Sequence, residues 1–101
     1  MEITEKQRRH LKGLAHPLQP VILVGGGGVT PGVIAETVRA LHDHELIKLR
    51  VRGAERAGRD AMVERLAAAT DSALVTRIGH VAVLYRPRAE NPRVVIPDAD
   101  A

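Results

Sequence analysis

Val21-Ile-Leu-Val-Gly-Gly-Gly-Gly-Val-Thr-Pro-Gly-Val-Ile-Ala-Glu36 is a short apolar run that ends in four glycines and restarts at a helix-opening Thr-Pro pair. Strand, glycine loop and helix N-terminus, in that order, predict a place where the backbone can hold a phosphate. Residues without Cβ let the main chain approach a ligand closely and adopt φ > 0. The first turn of the following helix presents unpaired N–H groups and the positive end of its dipole.

The nucleotide signatures fail on this loop. G-x-G-x-x-G started at Gly25 needs glycine at Thr30, and started at Gly26 needs it at Pro31. G-x-x-x-x-G-K-[ST] started at Gly27 reaches Gly32 but meets Val33 where Lys is required. What remains is G-x-x-G, Gly25 to Gly28, a form that clamps the sugar-phosphate backbone of single-stranded nucleic acid in KH-type modules. A tight strand-to-helix turn also selects glycine, so a purely structural reading stands beside the functional one.

Upstream of the loop, Thr4-Glu5-Lys6-Gln7 is a capping box that opens a helix over about 5–15. Leu11, Leu14 and Ala15 share one face, and Arg9, Lys12 and His16 form a basic stripe on a neighbouring one. Pro17 ends the helix. The strand at about 21–24 is apolar without interruption, which predicts burial on both faces and a central place in a sheet. Downstream, Thr30 caps a second helix with Pro31 in its first turn; Ile34, Val38 and Leu41 face inward, and His42 and His44 lie near its C-terminus. A strand at about 46–52 alternates Ile47, Leu49 and Val51 with Lys48, Arg50 and Arg52, which predicts one basic sheet face.

A charged turn over 53–58 precedes a third helix at about 60–69 that turns Met62, Val63 and Leu66 inward. Strands at about 74–78 and 81–85 flank Gly79-His80, a pair suited to a two-residue II′ hairpin. Val94-Val95-Ile96 offers a short strand extension, and an acidic frayed end follows at 98–101. The order α-β-α-β-α-β-β predicts a two-layer α/β sandwich: a four-stranded mixed sheet with helices packed on it, a single domain over residues 1–97.

With 101 residues the chain supports one core, and that core is aliphatic: Tyr85 is the sole aromatic residue. Base stacking on sheet aromatics is thereby almost excluded. The absence of cysteine removes disulfides, thiolate metal sites and cysteine nucleophiles, and suits a reducing interior. Apolar runs are too short to span a membrane and the polar, acidic start is unlike a signal peptide, so a soluble cytoplasmic protein is expected. The formal charge of +3 is unevenly spread. Residues 46–59 carry Lys48, Arg50, Arg52, Arg56 and Arg59 against Glu55, and residues 77–93 carry Arg77, Arg86, Arg88 and Arg93 against Glu90. Such surfaces suit a polyanion, although arginine scattered over solvated faces gives the same composition.

Catalytic chemistry has no carrier in the sequence. His10, His16, His42, His44 and His80 lack the spacing of a zincin or the cysteine partners of a finger, so no metal is expected. Ser72 is the single serine and has no nucleophile elbow around it. A binding module without cofactor is favoured over an enzyme. It binds either RNA or, as the alternative, an acidic protein partner or small anion.

Several segments taken together resemble a known family: Thr4-Glu5-Lys6-Gln7, the run from Leu11 to Pro20 (Leu-Lys-Gly-Leu-Ala-His-Pro-Leu-Gln-Pro), the loop from Val24 to Val33, His44-Glu45-Leu46-Ile47-Lys48, and Ile78 to Arg86. They are similar to the YhbY-like bacterial CRM domain, the chloroplast RNA splicing and ribosome maturation module, over roughly residues 3–96. The resemblance implies a fold like the C-terminal domain of bacterial translation initiation factor three. It also implies a non-catalytic RNA-binding protein that joins large ribosomal subunit precursors and assists their assembly, with ribosomal RNA as partner; a monomer without membrane contact is expected. The family loop falls on Gly25, Gly26, Gly27 and Gly28; many family loops carry a basic or polar residue between the outer glycines, whereas this one has Gly26 and Gly27. Flanking charge must then carry more of the attraction. The RNA-binding residues expected are those four glycines with Thr30, Arg8, Arg9, Lys12, His16, Lys48, Arg50 and Arg52.

Overall fold

A computed structural model describes residues 1–53 and 55–98. Its elements run α1 (Glu5–Ala15), β1 (Pro20–Val24), α2 (Pro31–His44), β2 (Leu46–Val51), α3 (Arg56–Ala69), β3 (Ala73–Ile78) and β4 (Val81–Tyr85). The strands form one mixed sheet in the order β1-β2-β4-β3, with β1 parallel to β2 and β4 antiparallel to both β2 and β3. Strands β1, β2 and β3 therefore point the same way. Their C-terminal ends gather at one end of the sheet, beside the start of β4.

Period-two alternation sorts the strand residues between two cores. Ile22, Val24, Ile47, Leu49, Val51, Ala82 and Leu84 face α2 and α3, meeting Leu41, Val63, Leu66 and Ala67. Leu46, Val75, Val83 and Tyr85 face the other way, against Leu11 and Ala15 of α1. The expected sandwich is the sheet with α2 and α3, and α1 adds a smaller layer on the opposite face.

Local signals set the helix starts. Both bonds of the capping box form: Thr4 Oγ1 accepts from the Gln7 N–H at 3.1 Å, and Gln7 Oε1 accepts from the Thr4 N–H at 2.9 Å. Thr30 caps α2 by accepting from the Val33 N–H at 3.2 Å. Gly79 adopts φ 59 in the hairpin, as a II′ turn requires of its first central residue.

Four expectations are corrected. Strand β1 lies at an edge, with Val21 52% and Leu23 49% exposed, because α1 crosses the sheet too far toward its other end to cover them. In α2, Thr37 takes the buried place expected of Val38; its hydroxyl donates to the Val33 carbonyl at 2.7 Å, so the buried polar atom is satisfied. Helix α3 begins at Arg56, one turn before the expected start, and tolerates Gly58 in its first turn. Val94-Val95-Ile96 forms no strand; Val94 and Ile96 instead pack against the α1 core. Of the acidic end, residues 99–101 lie outside the described residues.

What holds the C-terminal segment is a carboxylate. Glu45, fully buried and left-handed at φ 64, accepts from the backbone N–H groups of Arg88 (2.9 Å), Arg93 (2.5 Å) and Val94 (3.0 Å). Burial pushes its pKa up, but those three N–H bonds and the Arg88 charge outweigh burial, and the carboxyl titrates below the ordinary value of 4.5. Arg88 in turn donates to the carbonyls of His42 (2.7 Å) and Asp43 (2.8 Å), closing the C-terminus of α2. His10 Nε2 meets the Val95 carbonyl at 2.8 Å, and Gln7 Nε2 donates to Pro97 at 2.9 Å. All of this lies at the sheet end away from the glycine loop.

Candidate nucleic-acid interface

The four glycines close a tight turn at the C-terminal end of β1, with the Gly28 N–H donating to the Gly25 carbonyl at 3.0 Å. Their needs differ. Gly28 has φ 73, where an L side chain is strained. Gly25, Gly26 and Gly27 are not left-handed, and a Cβ at Gly25 or Gly26 would meet nothing within 4 Å. At Gly27 it would meet only the Thr30 methyl at 3.7 Å, an ordinary contact. Gly26 and Gly27 are exposed at the tip. The turn itself needs one glycine, and the fold gives no steric reason for the other three.

Beside the loop stand the end of β2 and the start of α2. The Arg52 N–H donates to the Val24 carbonyl at 2.9 Å, carrying the parallel ladder up to the loop, and Gly53 approaches Gly26 so closely that a Cβ there would lie 3.8 Å from its Cα. Thr30 spends its hydroxyl on the helix cap and so contributes to the loop through position.

The sheet face that α1 leaves uncovered begins at the same end. Register places Leu23, Arg50, Val81 and Ile78 in one row across all four strands. Ile78 is 67% exposed, Leu23 half exposed and Arg50 exposed. One step further from the loop, Lys48 reaches α1, donating to the His16 carbonyl at 3.3 Å, and Lys12, His16, Lys48, Thr76, Ile78 and Val81 line one shallow cleft. The sequence-expected residues Lys12, His16, Lys48, Arg50 and Arg52 thus share the uncovered face with the loop at its end. Arg9 is exposed on the outer side of α1.

Arg8 is placed differently. Its guanidinium donates to the Leu74 (2.5 Å) and Val75 (2.7 Å) carbonyls and pairs with Glu5 at 3.6 Å, so it covers backbone of the β3 edge. Sequence reasoning placed Arg56 and Arg59 in one basic run and Arg77 in another without joining them, and here the three line a cleft with Ile78 and Gly79 at the hairpin end. Their separation in sequence hides the cluster, and only the crossing of α3 behind β3 brings them together. Among the described residues, no group of three or more His, Asp or Glu is placed to hold a metal ion, and no helix is long and apolar enough to cross a membrane.

Fold and site define a small α/β domain that presents a glycine turn and a basic sheet face at one end, a class built for binding. Residues 3–86 match the CRS1 / YhbY (CRM) domain family, and the chain belongs to it. It is 45% identical over 95 residues to an "RNA-binding protein" of Haemophilus influenzae, covering 94% of this chain and 95% of that one. A "Probable RNA-binding protein" of Pseudomonas aeruginosa is 44% identical over 93 residues, 92% of this chain and 86% of its own length. The "Probable RNA-binding protein YqeI" of Bacillus subtilis is 37% identical, with 94% and 99% covered. The solution structure of the hypothetical protein SAV1595 from Staphylococcus aureus superposes with a TM-score of 0.83 at 35% identity, over 95% of this chain and all of that one.

Proposed function

We propose that this chain is a non-catalytic, cytoplasmic RNA-binding protein, acting as a monomer, that associates with large ribosomal subunit precursors and assists their assembly. The observation that carries the RNA reading is the Gly25-Gly26-Gly27 run, exposed at Gly26 and Gly27, which has no left-handed φ and no steric demand in the fold. Backbone clearance for a ligand accounts for it. The phosphodiester backbone supplies negative charge and needs close approach, and the Arg and Lys of the uncovered face neutralise the phosphates that follow. The names of the relatives agree in ligand class, and the family resemblance directs the reading to the large subunit.

Salt titration with structured ribosomal RNA tests the first part. Neutralising Z phosphates of a single strand gives a slope of log affinity on log salt of about −0.7Z, so a slope of zero would exclude RNA in favour of another partner. Sedimentation of lysate tests the second. Co-migration with free large-subunit precursors, abolished by nuclease, is expected; migration only at the top of a low-salt gradient would refute it.

A further inference from the structure

The arginine cleft at the hairpin end has no role in the fold's core and lies outside the loop and basic face already described. Arg56 and Arg59 come from the first turn of α3, Arg77 from the end of β3, and Ile78 and Gly79 complete the lining without any carboxylate. Asp60, in the same region of α3, pairs with Arg77. Arginine in a first helical turn is opposed by the helix dipole, with Glu55 at the N-cap as the acidic residue beside it. Three guanidinium groups in one cleft match the planar, bidentate recognition of phosphate oxygens.

Position in the sheet decides which phosphate. Ile78, which lines the cleft, ends the same cross-sheet row that starts at Leu23 beside the glycine loop and passes through Arg50. The loop stands on β1 and the cleft on β3, three strand spacings or about 14 Å apart across the sheet. Because Arg77 alternates with Ile78 and meets Asp60 of α3, the cleft opens around the hairpin edge toward the α3 face. A single phosphate cannot occupy both, whereas one strand several nucleotides long can.

We infer that the Arg56-Arg59-Arg77 cleft is a second backbone-phosphate site for the same RNA strand, which runs from the glycine loop along the Leu23-Arg50-Val81-Ile78 row to the hairpin. The inference rests on the RNA reading above. The strand crosses the C-terminal ends of β1, β2 and β3, held at both ends by phosphate contacts and in the middle by Arg50. Aliphatic Leu23, Val81 and Ile78 give bases an apolar floor without stacking, so recognition along the row tolerates any sequence.

The test is fluorescence anisotropy with a 12-nucleotide oligouridine over a salt series, comparing the parent with Arg56→Ala/Arg59→Ala and Arg56→Lys/Arg59→Lys. Each lost phosphate contact lowers the slope by about 0.7, which over one decade of salt below 1 M corresponds to about fivefold in affinity. The alanine pair is expected to lower the slope by about 0.7–1.4 and to bind about 5- to 25-fold more weakly at 0.1 M salt, while the lysine pair retains the parent slope. A parent slope well below zero with an unchanged alanine pair would overturn the second site and leave the RNA reading standing. A lysine pair as weak as the alanine pair would overturn the charge argument, and a parent slope of zero would remove both readings. Thermal midpoints check that each variant folds; should the alanine pair unfold, Arg56→Ala alone, at an exposed position, is read by the same criteria with a loss of about 0.7 in slope.

Discussion

Replacing Gly26 and Gly27 together with alanine separates a ligand-binding loop from a mere turn, because the two readings predict opposite consequences. In the free protein the added methyls meet nothing at 26 and only the Thr30 methyl, at 3.7 Å, at 27, and neither residue has a left-handed φ. Alanine at a compatible position stabilises by about 0.4–1 kcal/mol by narrowing the unfolded ensemble. With about 4–8 °C per kcal/mol for a domain of this size, the thermal midpoint holds or rises by several degrees. RNA affinity moves the other way. Two methyls at the point of closest backbone approach push the phosphate out, with an expected loss on the order of tenfold, about 1.4 kcal/mol. Aspartate at both positions adds repulsion: at about 6 Å in water each charge contributes about 0.7 kcal/mol, so the pair costs roughly another factor of ten. Gly28→Ala is the contrasting control, since φ 73 makes it lose about 1–2 kcal/mol of stability. Tyrosine fluorescence from Tyr85, the sole aromatic residue, follows unfolding, and anisotropy with labelled ribosomal RNA follows binding. Parent-like affinity in both the folded alanine and aspartate pairs would show that the four glycines only turn the chain.

Lys12→Ala with Lys48→Ala should weaken binding evenly across RNA sequences and lower the salt slope by about 0.7–1.4; an unchanged slope would make that cleft an ordinary wet surface. Arg8→Ala should lower stability by about 1–3 kcal/mol in denaturant titration, through the two carbonyls it leaves at the β3 edge, while the RNA salt slope stays at the parent value. Glu45→Gln should cost on the order of 2–3 kcal/mol, because an amide replaces a carboxylate that accepts three backbone N–H groups. Since the folded Glu45 carboxyl titrates below its unfolded value of 4.5, the unfolded chain binds more protons between the two values. Its contribution is then fully present above about pH 4.5 and is lost as pH falls through the folded value. Acid titration followed by Tyr85 fluorescence should show this loss in the parent and a shallower fall in Glu45→Gln; parallel curves would refute the assignment.

Signals that are local in the chain were legible from the sequence, and those that depend on where α1 and α3 cross the sheet were not. The Thr4 and Thr30 caps, the alternation in β2 and the Gly79 turn each rest on a few neighbouring residues, and each forms as read. The apolar run of β1 misled because continuous hydrophobicity marks burial on both faces only when both faces are covered. Val21 instead borders the groove beside α1, and Leu23 joins the uncovered row. Val38 misled through helical spacing alone, which does not separate it from Thr37, a residue buried by returning its hydroxyl to the helix backbone. The glycine loop was visible as a motif, yet its strongest argument, that three of its glycines answer to nothing in the fold, needed the positions of the neighbours. The role of Glu45 gave no sequence signal, because a carboxylate bonded to N–H groups more than forty residues away has no local pattern. Arg8, expected on RNA, holds carbonyls of the β3 edge more than sixty residues away.

The two ends of the sheet divide the work between binding and stability. At the end where β1, β2 and β3 finish lie the glycine turn, exposed Arg50 and Arg52, and the arginine cleft, with apolar surface left open. At the other end, Glu45, Arg88 and the Val94–Ile96 segment close α2, α1 and the start of β2 into a hydrogen-bonded knot, with Tyr85 buried within the same core. An exposed row that places an arginine among aliphatic side chains buries little and contributes little to folding, so the opposite end must carry a larger share. Charges added to or removed from the open end should therefore change affinity at nearly constant stability, and lesions in the knot should change stability at nearly constant affinity per folded molecule. The strands connecting the ends are short and paired across the whole sheet, which keeps the open row in register without help from the ligand.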